Sequence, residues 1–201
     1  MPGALFVVAS SADQKLINRL LLHLRDWEYG EEPTWDNFLF ITSKNLPETE
    51  EACGTTIPPI SESDLSNNVW RGKSIADVES FMLSERETVG LNANSFLVLD
   101  EQGVKDGTII LFDSLESGDE EVEVKFKKVR VPWDKAYIMW CNLDIANMDF
   151  EDFVDDEDCD ESGWRNYKDW DEGQEADDSN HIKVKRNNAI AELEKAEKKS
   201  N

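Results

Sequence analysis

Residues 4–42 read ALFVVASSADQKLINRLLLHLRDWEYGEEPTWDNFLFIT, and this stretch decides the fold class. Ala4 to Val8 form a short continuous apolar run, the pattern of a strand buried on both faces. Ser10, Ser11 and Asp13 follow, side chains suited to accept hydrogen bonds from the free amides of a helix start. Leu16, Ile17, Leu20, Leu21, Leu24 and Trp27 then recur at helical spacing. They predict a helix over 12–28, ended by Gly30 and Pro33, and residues 37–42 (NFLFIT) read as a second strand. Strand, helix, strand in this order predicts a right-handed parallel crossover, and hence an α/β domain.

Further along, residues 44–72 carry Pro47, Pro58 and Pro59 and read as a long loop, functional or mobile. Ser74 is placed to cap a second helix with Ile75, Val78, Phe81 and Met82 on one face. SFLVL (95–99) and TIILF (108–112) read as two more strands. Gly103 and Gly107 between them predict a hairpin, so this pair is antiparallel. VEVKFKKVRV (122–131) alternates apolar and charged residues, the pattern of a strand with one wet face towards a sheet edge. Lys127–Lys128 breaks the alternation and predicts a bulge. Pro132 opens the segment WDKAYIMWCNL, read as helical or as a tight turn with a helical turn. Asn147 is placed to cap a short helix over 148–155. The expectation is a three-layer-like α/β domain over 1–154: a mixed, mostly parallel sheet of about five strands with helices on its faces. An acidic Trp- and Tyr-containing segment (155–180) and a short amphipathic helical tail (181–201) complete the chain.

The charge is lopsided. The 201 residues hold 44 acidic and 21 basic side chains, for a net charge of −23. Residues 149–178 alone carry fifteen carboxylates against Arg165 and Lys168. Such a surface repels phosphate backbones and anionic lipid, so neither nucleic acid nor a membrane is an expected partner. A basic protein is, because opposite charge steers encounter. Cys53, Cys141 and Cys159 are odd in number and form no CxxC pair, which fits a reduced, cytoplasmic setting. The N-terminal apolar run is short and lacks a preceding basic residue, so it reads as a strand rather than a signal peptide.

NLDIANMDFEDF (142–153) resembles the signature of the domain of unknown function 6924 family. There, two strands and a Pro-containing link lead into an Asn-Leu-x-Ile-Ala-Asn-Met-Asp-Phe block. Here SFLVLD (95–100), TIILFD (108–113) and KVRVP (128–132) precede it in that order, and Gly163-Trp164-Arg165-Asn166-Tyr167 is similar to the family's C-terminal end. The resemblance covers 95–167 and is weak over 1–90; the 44–72 loop and the 168–201 extension look like additions. It implies a compact intracellular α/β domain and brings no reaction, cofactor or catalytic residue.

Candidate sites therefore rest on the residues themselves. In the block, Ile145, Met148, Phe150 and Phe153 suit a core, while Asn142, Asp144, Asn147 and Asp149 suit either backbone capping or a polar pocket. The C-terminal ends of the parallel strands would gather Ser10, Ser11, Thr42, Ser43 and Asp100, as a small-ligand crevice or as ordinary caps. Arg71-Gly72-Lys73-Ser74 has the end of a phosphate-binding loop but Asn67 where its first glycine belongs, so nucleotide hydrolysis is not expected. Asp158, Asp160, Ser162 and Asp169 fall at the first, third, fifth and twelfth positions of a Ca²⁺-loop pattern that ends in Asp rather than Glu, which suits weak divalent binding. Neither His23 nor His181 has a nucleophile placed beside it by sequence, so no catalytic residue and no cofactor are assigned. The leading expectation is a non-enzymatic acidic interaction domain, inhibitor- or immunity-like, with Trp164, Tyr167 and Trp170 as aromatic anchors. The alternative is a small-ligand binder or enzyme using the strand-end crevice.

Overall fold

A computed structural model describes residues 1–46, 49, 53–85, 90–114, 126–155, 162–169 and 176–199, with backbone alone for 176–179 and 199. In chain order the elements are β1 (Gly3–Val7), α1 (Gln14–His23), β2 (Phe38–Phe40), α2 (Glu62–Ser66), α3 (Ile75–Glu85), β3 (Asn92–Leu99) and α4 (Glu101–Asp106). Then come β4 (Thr108–Ser114), β5 (Phe126–Pro132), α5 (Trp133–Asp144), a 3-10 turn (Phe150–Phe153), β6 (Val154–Asp155), β7 (Trp164–Tyr167) and α6 (Ala176–Lys199).

The α/β class holds, with a mixed sheet larger than expected: seven strands in the order β2-β1-β3-β4-β5-β7-β6. It is also less parallel. β1 runs parallel to β2 and β3, and β5 to β7, while β3–β4, β4–β5 and β6–β7 are antiparallel. Both faces of the central strands are buried, and strand alternation divides their side chains between two cores. Leu97, Leu99, Ile109, Leu111, Val129 and Val131 pack with Ile17, Leu20 and Leu24 of α1 and Ala136, Met139 and Trp140 of α5. Phe96, Val98, Ile110 and Phe112 pack on the other side with Trp70 and with Val78 and Met82 of α3. There Phe96 and Phe112, direct cross-strand partners, stack at 4.6 Å, and Phe126 meets Phe96 edge-on at 4.9 Å.

Several local expectations are corrected. The first helix ends at His23 rather than running to 28: Asp13 caps it through the Leu16 amide, and Leu24 closes its last turn. The 44–72 region is not an open loop in its described part. α2 lies within it behind a Ser61–Asp64 capping box, Ile60 and Leu65 are buried, and Trp70 is among the largest fully buried side chains. The Thr56 hydroxyl and amide bond to the Phe40 amide and the Phe38 carbonyl, which satisfies backbone groups on the outer side of β2. No hairpin joins β3 to β4; α4 stands between them, capped by Asp100 through the Gly103 amide and closed at Gly107. β5 is interior, covered by β7, and pairs with β4 in unbroken register through Lys127 and Lys128, so no bulge is present there. Its charged face is satisfied rather than wet: Lys128 reaches Glu79 at 3.0 Å, and Arg130 forks onto Asp100 at 2.8 and 2.7 Å. Residues 122–125 of that predicted strand lie outside the described residues.

Gly163 starts β7 from the left-handed region (φ 85°), and its carbonyl accepts from the Lys128 amide. A Cβ there would stand 2.5 Å from the Phe126 carbonyl oxygen, so only glycine admits this strand. α6 begins at Ala176, within the segment read as acidic and before the helical tail expected over 181–201. It docks on α1: Ile182, Ala189, Ile190 and Leu193 pack with Leu22, Trp27 and Trp35. Arg186 reaches Asp134 at 3.2 Å, and Glu197 accepts from Asn18.

Under α6 lies His23, its ring centroid 5.8 Å from that of Trp133. Burial, and then the Arg186 guanidinium, hold this imidazole down at about 4 against an ordinary 6.5; Asp134 opposes them. From pH 6.5 down to 4 the unfolded chain takes up this proton and the folded chain does not. Stability therefore falls as pH falls through that window, by about 1.4 kcal/mol per pH unit from this residue alone. Relative to wild type, His23→Phe should show a shallower loss of urea midpoint between pH 6.5 and 4.5; parallel curves would contradict this assignment.

Candidate functional site

The strand-end region was the sequence's candidate crevice, and the structure assembles part of it. β1 and β3 are parallel neighbours, so Val8, Ser10 and Asp100 emerge together at their C-terminal ends. With Gly72, Lys73 and Ser74 at the start of α3, and Glu101, they border a cleft of about 450 Å³. Thr42 and Ser43 do not line it. The Thr42 carbonyl accepts from the Val69 amide, and the Ser43 hydroxyl closes a local turn with Asn45.

Hydrogen bonds within the chain already engage the cleft's polar groups. The Ser10 and Ser11 amides donate to one Glu101 oxygen at 2.6 and 3.1 Å, and the Ser11 hydroxyl donates to the other. These bonds draw the Glu101 carboxyl below the ordinary range. Arg71 donates to the Ser10 carbonyl. At the start of α3, Ser74 and Asp77 form a reciprocal pair: the Ser74 amide and hydroxyl donate to Asp77 at 2.8 and 2.7 Å, and the Asp77 amide donates back at 3.1 Å. A phosphate at this helix start would compete with a carboxylate of the chain itself. Asp100 caps α4 and grips Arg130, and the Arg130 and Gly103 bonds outweigh its partial burial to lower its pKa.

The family-signature block turns out to close α5. Asn142, buried, donates to the Ile138 carbonyl at 2.8 Å and accepts from the Asn147 side chain at 2.7 Å. The Asn147 amide donates back to the Asn142 carbonyl at 2.9 Å, across an Ala146 held at φ 51°. Asp144 accepts from Asn92 at 2.6 Å, which ties the end of α5 to the start of β3. Asp149, not Asn147, caps the following 3-10 turn in a reciprocal pair with Asp152. Phe150 and Phe153 are buried as expected, but Ile145 is 64% exposed and belongs to no core.

Trp164 and Tyr167 are half-buried on β7, where Trp164 lies 5.9 Å from both the Lys128 ammonium and the Arg130 guanidinium. Trp170, Asp158 and Asp160 lie outside the described residues. Ser162 and Asp169 are described, and Asp169 stands 3.8 Å from Lys135. Among the described residues no group of three His, Cys, Asp or Glu is placed to hold a metal ion.

One arrangement escaped the sequence reading. Between α6 and the segment 27–35 lies a cavity of about 540 Å³, larger than the strand-end cleft, walled by Trp27, Trp35, Glu31, Glu32, Ala189 and Glu192 among others. The signal for it was the spacing WEYGEEPTW, two tryptophans flanking a Glu-Glu-Pro turn, but its far wall comes from residues 150 positions away.

The geometry makes Asp100 a structural group. Asp100→Ala should cost about 1–2 kcal/mol, the sum of a lost cap and a partly screened Arg130 pair, read as a lowered urea midpoint. A carboxylate held only for a ligand would give an unchanged or raised midpoint.

No helix among the described residues is long and apolar enough to cross a membrane. No curated protein and no solved structure matches the chain. One family does, over residues 28–166, a span that begins well before the signature block and ends within β7. The chain belongs to the family described as Domain of unknown function (DUF6924).

Proposed function

We propose that this chain is a non-enzymatic acidic interaction domain that docks a basic protein, in the manner of an inhibitor or immunity protein. One observation carries the reading: six of the chain's 21 cations are turned inward onto carboxylates. Arg25, Lys127, Lys128, Arg130, Lys135 and Arg186 are paired with Asp36, Glu151, Glu79, Asp100, Asp169 and Asp134. In every pair the cationic side chain is at most 22% exposed. Many of the remaining carboxylates face water, and because each pair cancels one charge of either sign the exterior keeps the chain's net negative charge. That field raises the encounter rate of a basic partner and rejects anionic ones, with a steep salt dependence. Cys53 and Cys141, half-buried thiols without a disulfide, support a reducing, cytoplasmic setting.

A second reading, a small-ligand binder, rests on the strand-end cleft beside Lys73. Internal partners already engage the cleft's carboxylates and amides, so a ligand there has to displace them.

The two readings part in a capture experiment with the full chain. The interaction reading expects a discrete basic protein retained at about 50 mM salt and released at about 500 mM, where the Debye length shrinks several-fold. Capture of no basic protein, together with a bound metabolite in native mass spectrometry that Lys73→Ala removes, would favour the cleft.

A further inference from the structure

The aromatic cavity beside α6 carries an inference that rests on the interaction reading and deepens it. Its walls combine two kinds of recognition. Trp27 and Trp35, with ring centroids 5.6 Å apart and planes inclined by 51°, supply indole surface. Glu31 and Glu32, both exposed, and Glu192 on α6 supply negative charge. Lys185 also lines the cavity, but it is seven residues from Glu192 on the same helix, roughly 10 Å along its axis. The walls therefore carry three carboxylates against one ammonium, a net negative charge.

The chain itself shows which cation these indoles accept. The Arg25 guanidinium lies 4.3 Å from the Trp35 ring centroid and 5.6 Å from that of Trp27, and Asp36 holds it through two bonds of 2.7 and 3.1 Å. An arginine stacked on indole and forked onto a carboxylate is thus already built beside the cavity, which Arg25 does not line. The architecture holds the pair firmly. Trp27 is buried, and its ring nitrogen donates to the Leu22 carbonyl at 2.7 Å, which fixes the ring's orientation at the cavity wall. Gly30 packs so tightly that a Cβ would lie 2.6 Å from the Asp26 carbonyl oxygen and 2.8 Å from the Trp35 Cβ. Tyr29, at the same turn, is 80% exposed.

We infer that this cavity is the docking point of the basic partner, and that it receives an arginine side chain. The guanidinium stacks against the tryptophan pair and its donors face Glu31, Glu32 or Glu192. Arginine is favoured over lysine because a planar, weakly hydrated guanidinium stacks on indole and forks onto a carboxylate, while an ammonium keeps its water.

The test titrates the ¹⁵N-labelled full chain with hexa-arginine, hexalysine and hexaglutamate at about 50 mM salt. It follows the indole N–H signals of Trp27 and Trp35, assigned from Trp27→Phe and Trp35→Phe. Hexa-arginine is expected to shift both signals in a saturable way, hexalysine to bind several-fold more weakly, and hexaglutamate to shift neither. Glu31→Gln/Glu32→Gln, at exposed positions, should weaken hexa-arginine about tenfold, equivalent to about 1.4 kcal/mol. Gly30→Ala, which displaces Trp35, should weaken it with the charges intact. Hexa-arginine that shifts other signals but leaves Trp27 and Trp35 in place would overturn the cavity assignment while leaving the interaction reading standing. Equal binding of hexalysine would overturn the choice of arginine. No binding of hexa-arginine anywhere on the chain would overturn both the inference and the reading beneath it.

Discussion

The structure depends on a sheet whose central strands are buried on both sides. Ile109 and Leu111 point into one core, Ile110 and Phe112 into the other, so each residue step along β4 changes the layer it supports. A register slip would exchange the two sets, and the stacked Phe96–Phe112 pair pins the register. Both faces then require cover. α1 and α5 cover one; α3 and Trp70 cover the other. The strand-end cleft is the place where β1, β3 and the start of α3 meet without fully closing.

Burying two faces in a chain of net charge −23 confines where carboxylates can go. Those near the sheet are neutralised by cations drawn inward, as with Asp100 by Arg130 and Glu79 by Lys128. The ion pairs let β5 lie inside the sheet although its sequence alternates like an edge strand. Many of the other described carboxylates are exposed.

Local signals in the sequence were reliable wherever a segment's partners lay close by. The apolar runs of β1, β3 and β4, the periodicity of α1 and the Ser74 start of α3 all follow from neighbouring residues. Errors arose where distant partners decided. Lys128 and Arg130 read as wet because Glu79 and Asp100 are 49 and 30 positions away. α4 was hidden behind two glycines that usually mark a turn, although Asp100 was already visible as a cap. The four residues of β7 are polar enough to pass for a tail, and only their pairing with β5 and β6 shows them joining the sheet. The candidate sites fared similarly. Asn142, Asn147 and Asp149 could be read as capping residues; their specific bonds could not. The tryptophan cavity was invisible because α6 supplies its far wall.

The central claim is that the exterior presents an unbalanced negative field that includes the acidic turn beside the tryptophan pair. The most direct measurement compares backbone amide relaxation enhancements from a cationic and an anionic nitroxide co-solute across the full chain. The account predicts stronger enhancement by the cationic probe over most of the surface, residues 28–35 included. Equal enhancements by the two probes there would contradict it.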